Sequence, residues 1–193
     1  DEKGSASYEF VIDGTATFDF QRDWLPDPYK HKPTLLHIGT LVTAIEPGAS
    51  VLFDWALEVS ELAPIIFDPN IRPAVIPDRD LYRKQVEKWI GISSVVKVSE
   101  DDIAWLYPDR DDVEVAKEWI VGDVSIVVIT RGANGLVGIT KSGVYTVPGV
   151  KVDVVDTIGA GDTVGAVIAE AVKKFGLDEL DDAALLISME KAA

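Results

Sequence analysis

Apolar positions fall along the chain in two alternating rhythms. Short, nearly unbroken apolar runs at residues 34–39, 65–68, 95–98 and 124–130 read as strands buried on both faces. Between them lie longer stretches with helical spacing, at 50–62, 78–90, 100–106 and 113–120. Strands that alternate with helices in this way predict a parallel sheet covered on both sides, a doubly wound α/β core. Residues 136–140 and 144–147, joined across Lys141-Ser142-Gly143, add a hairpin. The run 150–155 alternates as a strand does, and residues 163–172 carry Ala166, Ala169 and Val172 at helical spacing. The glycines between these two segments therefore mark a strand-to-helix junction. A last helix is expected over residues 178–191.

Ahead of this core, residues 7–12 and 15–20 are short β-branched and aromatic runs joined by Asp13-Gly14, a strong hairpin signal. Tyr8, Phe10, Phe18 and Phe20 give the ribbon one aromatic face, which on its own reads as packing on the main domain. Residues 21–33, with three prolines and mixed charges, read as a connection. The expected division is thus 1–22 as a small β unit, 23–33 as the connection and 34–193 as the core. His31 and His37 show no ligand-like spacing and read as structural. Trp24, Trp55, Trp89, Trp105 and Trp119 show no stacking repeat and read as core or interface residues.

Composition narrows the function classes. With 193 residues and 47% apolar, the chain has ample material for a core. No apolar stretch reaches the ~18 residues of a membrane span, and the start (Asp1, Glu2, Lys3) has no signal-peptide pattern, so a soluble, cytoplasmic protein is expected. The absence of Cys removes disulfides, thiolate metal sites and thiol nucleophiles. A net charge of −15 argues against nucleic acid or an anionic membrane as partner. It does not exclude a metal-bridged nucleotide, because charges beyond about 8 Å are largely screened and local groups decide binding. The local groups here are a helix start, Arg131 and a divalent cation.

The candidate chemistry centres on Asp156-Thr157-Ile158-Gly159-Ala160-Gly161-Asp162. A helix begins here, its first N–H groups lack intrahelical partners, and the backbone dipole favours an anion at that end. Glycine leaves the N–H groups open to approach. Asp162 stands directly behind the glycines, where it repels the phosphate that the turn attracts. Phosphoryl transfer is one reading that fits the placement, in which the turn stabilises charge spreading over the transferred group and the carboxylate takes the proton of the attacking hydroxyl; the other is a Gly-rich helix start whose Asp162 complements the dipole. Gly159-x-Gly161-x-x-x-Gly165 also looks like a loosened dinucleotide-binding turn. That reading requires a second strand ending in an acid about 20 residues on, where residues 178–191 read as helix instead.

The stretch Asp156-Thr157-x-Gly159-Ala160-Gly161-Asp162 resembles the carboxy-terminal signature of the PfkB, or ribokinase-like, carbohydrate kinases. The resemblance implies Asp162 as catalytic base and Gly159, Ala160 and Gly161 as the anion hole, with Thr157 beside ATP and Asp156 near the transferred phosphate. It implies ATP and Mg2+ as cofactors, a ribokinase-like fold and a β lid formed by the amino-terminal hairpin. A sugar and Mg-ATP are the implied partners, with a homodimer through the lid.

Three strand ends extend the resemblance. Asp68-Pro69-Asn70-Ile71-Arg72-Pro73 reads on its own as a turn, and it looks like a stretch of fructokinase-like and 2-keto-3-deoxygluconate kinase-like members that lies near sugar and phosphate. Asn70 and Arg72 are by that likeness substrate-proximal. Ser99-Glu100-Asp101-Asp102 reads as a capped helix start. In the family an Asn-x-x-Glu element here is tied to magnesium, which makes Asp102 the implied metal residue, with Ser99 in place of Asn. Thr130-Arg131-Gly132-Ala133-Asn134-Gly135 is a turn into the hairpin, and by resemblance Thr130, Arg131, Gly132 and Gly135 line the nucleotide site. A whole kinase of this family carries more chain before Asp1, so the sequence looks like a fragment. The expected activity of the parent protein is transfer of phosphate from ATP to a sugar hydroxyl, with fructose or a related keto sugar as acceptor. Rivals are 2-keto-3-deoxygluconate, ribose or nucleosides as acceptors, or a non-catalytic nucleotide-binding module.

Overall fold

The computed structural model describes residues 10–12, 15–177, 180 and 182–193. Among them, six strands form one sheet in chain order: β1 (Leu36–Gly39), β2 (Ile65–Asp68), β3 (Val95–Ser99), β4 (Ile126–Thr130), β5 (Leu136–Thr140) and β6 (Val144–Val147). Strands β1 to β4 run parallel, and β5 and β6 return antiparallel at one edge. The parallel strands end in step: Gly39 pairs with Asp68, and Ser99 with Thr130.

The crossovers are α2 (Gly48–Ser60), α3 (Arg79–Ile90), and the pair α4 (Glu100–Leu106) and α5 (Asp112–Trp119); a short α1 (Pro28–His31) precedes β1. The starts of α3 and α5 are capped by side chains: Asp78 accepts from the N–H of Leu81 (3.0 Å) and Asp111 from that of Glu114 (3.0 Å). Side-chain alternation then splits the sheet into two cores. Ile65, Phe67, Val96, Val98, Val127 and Ile129 pack toward α2–α5. Ile66, Val95, Ile126 and Val128 pack toward α6 (Ala160–Phe175) and α7 (Asp182–Ala192) on the opposite face. The expected doubly wound α/β core is therefore present, with helices on both faces.

At the centre of the first core is Trp89. It is 1% exposed, stacks on Phe67 (centroids 5.9 Å apart), meets the edge of Phe53 (5.1 Å) and donates its indole N–H to the Thr43 carbonyl (2.9 Å). Trp119 is also buried, Trp55 and Trp105 are half-buried, and Trp24 is largely exposed.

Two expected strands are not formed. Residues 15–20 contain a 3-10 turn, Ala16–Phe18, and Phe10, Val11 and Ile12 are not in a strand; residues 7–9 and the Asp13-Gly14 turn lie outside the described residues. This segment settles on the main domain instead. A Cβ placed on Gly48 would stand 2.2 Å from the Phe18 carbonyl and 2.5 Å from the Phe20 ring, so the aromatic segment lies directly on the start of α2. Residues 150–155 are likewise not a strand. The ladder ends at Val147 because Pro148 has no N–H to continue it. Beyond it the valines of the alternating run are exposed, Val155 by 94%, so neither face is buried.

Candidate functional site

The carboxyl ends of β1–β4 carry the site, and strand parity selects its side chains. Asp68 follows Ile66 by two residues, Lys97 follows Val95, and Thr130 follows Val128, so all three project toward the face that α6 covers. His37 pairs with Ile66 across β1 and β2 and shares that face. Its ring lies against α6: a Cβ on Gly165 would stand 3.3 Å from the imidazole.

Helix α6 brings the glycine turn over these ends. The Asp156 carboxylate accepts from the N–H of Ile158 (2.9 Å), and the Ala160 N–H bonds the Thr157 carbonyl (3.2 Å), which tightens the turn. Gly159 is the residue before the helix, at φ +81°, a left-handed conformation that glycine adopts without cost. No side chain caps the helix there, so the amide groups of Gly161 and Asp162 emerge at the positive end of the dipole. Asp162 lies in the first turn, exposed.

Asp162 and Asn70 come together. They line one cleft of about 300 Å³, whose walls include His37, Gly39, Thr40 and Asp68. Thr40 (φ +57°) and Asn70 (φ +42°) both hold left-handed backbone conformations, which cost a non-glycine residue about 1–3 kcal/mol, and strain of this kind gathers at ligand sites. Gly39 is required by packing, because a Cβ there would stand 1.8 Å from the Asp68 carbonyl oxygen. A second cleft, of about 400 Å³, lies beside Lys117 and residues 139–144, at the amino end of β4 and away from Asp162.

Other expected site residues are placed differently. The Arg72 guanidinium folds back on its own turn, donating to the carbonyls of Asn70 (3.3 Å) and Ile71 (3.0 Å). Arg131 makes a two-pronged pair with Asp112 (2.9 and 2.5 Å), whose carboxylate raises the Arg131 pKa. Arg131 is therefore committed to α5, and the cation at the glycine turn is Lys97. Gly135 (φ +90°) and Gly149 answer to packing: a Cβ on the first would meet the Val147 carbonyl at 2.1 Å, and one on the second the Ala133 carbonyl at 2.3 Å. Thr130 and Gly132 lie on the same turn, Gly132 exposed.

Asp102 is buried and each carboxylate oxygen accepts a backbone N–H, one from Ile71 (2.9 Å) and one from Ser99 (3.2 Å). Ser99 in turn accepts from the Asp102 N–H (3.0 Å), which completes the expected capping box and ties the loops after β2 and β3 together. Burial, ahead of these hydrogen bonds, raises the Asp102 pKa. Asp102→Asn is expected to cost about 1–3 kcal/mol, because an amide offers one acceptor to two donors. Between the ordinary carboxylate range and the raised native value, folded Asp102 holds a proton that the unfolded chain has released. Its contribution to stability therefore falls as pH rises through that interval, and the lead over the Asn variant narrows. Urea midpoints of both chains between about pH 4 and 7 check this; a lead that widens with pH contradicts it.

Sequence reading missed His37, Gly39, Thr40, Asp68 and Lys97 as site residues. For Lys97 and Asp68 a signal existed: each is a charge closing or interrupting a run that is otherwise buried on both faces. Among the described residues no group of three or more His, Asp or Glu side chains is arranged to hold a metal ion, and no helix is long and apolar enough to cross a membrane.

Comparison with known proteins agrees with this architecture. The chain is 34% identical over 171 residues to a fructokinase of Rhizobium leguminosarum bv. trifolii, covering 88% of this chain and 52% of that one. It is 27% identical over 181 residues to a fructokinase of Escherichia coli, covering 91% and 57%. The chain thus spans about half the length of these curated relatives. Among solved structures, fructokinase from Xylella fastidiosa with bound ATP superposes with a TM-score of 0.83 at 20% identity, covering 100% of this chain and 63% of that one. A double-mutant fructokinase from Vibrio cholerae O395 in fructose, ADP and potassium ion bound form gives 0.81 at 24% identity, covering 96% and 59%. These likenesses carry the fold. The sequence model of the pfkB family carbohydrate kinases matches residues 2–185, and the chain belongs to that family.

Proposed function

We propose that this chain carries the phosphoryl-transfer half of an ATP-dependent sugar kinase whose acceptor is fructose or a related keto sugar. The observation that carries the reading is the uncapped start of α6 with Asp162 in its first turn, opening on a cleft shared with Asn70. The curated relatives just described are fructokinases, which favours a keto sugar over the rival acceptors.

When bound, Mg-ATP supplies the phosphoryl group, with its charge partly neutralised by the metal. The amide groups of the Gly159-Ala160-Gly161 turn fit that group, because they leave the helix without a side-chain cap and without a Cβ at either glycine. Asp162 accepts the proton of the attacking sugar hydroxyl as its oxygen bonds the γ-phosphorus, and the bond to the bridging oxygen of ADP breaks. Asn70, on its strained turn, orients the sugar or the transferred phosphate. Asp156 and Thr157 hold the turn in shape, while Thr130, Gly132 and Gly135 line the path of the nucleotide, with Arg131 anchoring that turn to α5. Arg72 fixes the loop that presents Asn70. We read Asp102 as the tie between two site loops, with magnesium held mainly by the nucleotide phosphates, as is usual for that ion.

Because the chain spans about half of its relatives' length, a second reading, nucleotide binding without transfer, stands beside the first. ADP release from Mg-ATP, measured with fructose, 2-keto-3-deoxygluconate, ribose and a nucleoside, separates them. The proposal predicts release that depends on sugar and is fastest with fructose. Equal release with and without every acceptor, by the chain and by any longer polypeptide carrying it, would contradict it.

A further inference from the structure

Lys97 is the cation nearest the glycine turn, and its surroundings are unusual for a lysine. It is 5% exposed, in the middle of a buried strand, with its ammonium 2.6 Å from Asp68 Oδ2. The other oxygen of Asp68 is buried with no hydrogen-bond partner. A buried pair left half-satisfied adds little or nothing to stability, and apolar residues of similar volume often replace such pairs without loss. The pair therefore calls for a reason other than folding.

Its orientation supplies one. A Cβ placed on Gly161 would stand 3.0 Å from the Lys97 ammonium and 3.8 Å from its Cε, and no atom of Asp68 comes within 4 Å of that point. Of the pair it is the ammonium that meets the turn, while Asp68 closes β2 just before the loop that presents Asn70. The ammonium thus adds positive charge beside the start of α6, in the same sense as the half charge of the helix dipole, with Asp68 offsetting part of it. Gly161 leaves the space that the ammonium occupies.

Resting on the sugar-kinase reading above, we propose that Lys97 is a positioning residue for phosphoryl transfer: held by Asp68 against Gly161, its ammonium charges the anion turn from beneath. Asp68 fixes the ammonium in place.

A charge-neutral cycle tests this. The parent, Lys97→Met, Asp68→Asn and the double variant are each measured for thermal midpoint, for affinity toward Mg-ATP and Mg-ADP, and for fructose-dependent ADP release. Lys97→Met is expected to weaken Mg-ATP by about 10- to 100-fold and Mg-ADP much less, because the added charge acts mainly on the terminal phosphate. Lys97→Arg, which keeps the charge, recovers part of the loss. The double variant regains its thermal midpoint but not its ATP affinity. Recovery of both in the double variant would overturn the inference, since Lys97 would then serve only to neutralise Asp68. Selective loss of ATP affinity in Lys97→Met, with no sugar-dependent ADP release by the unsubstituted chain or by any longer polypeptide carrying it, would support Lys97 as a phosphate-positioning residue while sinking the kinase reading. Normal ATP affinity and turnover in Lys97→Met would sink the inference alone, and a parent that binds no Mg-ATP would sink both.

Discussion

Asp162→Asn is expected to lower sugar-dependent ADP release by about 10²- to 10⁴-fold, the range typical of a lost general base, and to leave Mg-ATP affinity unchanged or slightly tighter. The asymmetry follows from placement. Asp162 sits in the first turn of α6, where a carboxylate complements the helix dipole but repels a bound phosphate. The amide isostere removes the repulsion, keeps the turn and cannot take the hydroxyl proton. Turnover and calorimetric affinity are measured on the same preparations, in the chain and in any longer polypeptide carrying it. Turnover retained near the parent rate would show that Asp162 only complements the helix dipole.

The largest structural effect is expected at Trp89. Trp89→Ala should destabilise the fold by about 3–5 kcal/mol, a large part of the 5–15 kcal/mol available to a typical domain. The indole is buried between Phe53 of α2 and Phe67 of β2, and its loss also strands the Thr43 carbonyl. Phe67 precedes Asp68, so loosening this core loosens the strand end that holds Lys97. Urea denaturation reads the loss directly. A change below about 1 kcal/mol would mean that the site rests on a different core.

The central sheet was legible because buried parallel strands leave continuous apolar runs, and residues 65–68 and 124–130 carry that signature with little polar interruption. The start of α6 was legible from its glycines, and the capping box at Ser99 and Asp102 from spacing alone. Alternation misled at residues 150–155, because a period of two describes which way side chains point and says nothing about whether a partner strand is there to pair with. The same gap explains residues 15–20, whose aromatics lie on the start of α2 instead of forming a ladder. Lys97 and Asp68 were not legible as a pair because they lie on different strands, and only register and parity place them on one face. Arg131 shows the converse: a cation 30 residues before Gly161 is committed to Asp112, whereas one 64 residues before it reaches the turn.

The central claim is that phosphate binds at the amino-terminal end of α6, and backbone amide NMR during titration with Mg-ATP tests it most directly. The largest shifts are predicted at Gly161 and Asp162, with smaller ones at Gly132 and little change at residues 139–144 beside the second cleft. Saturable binding that moves the amides of residues 139–144 and leaves Gly161 and Asp162 in place would contradict it.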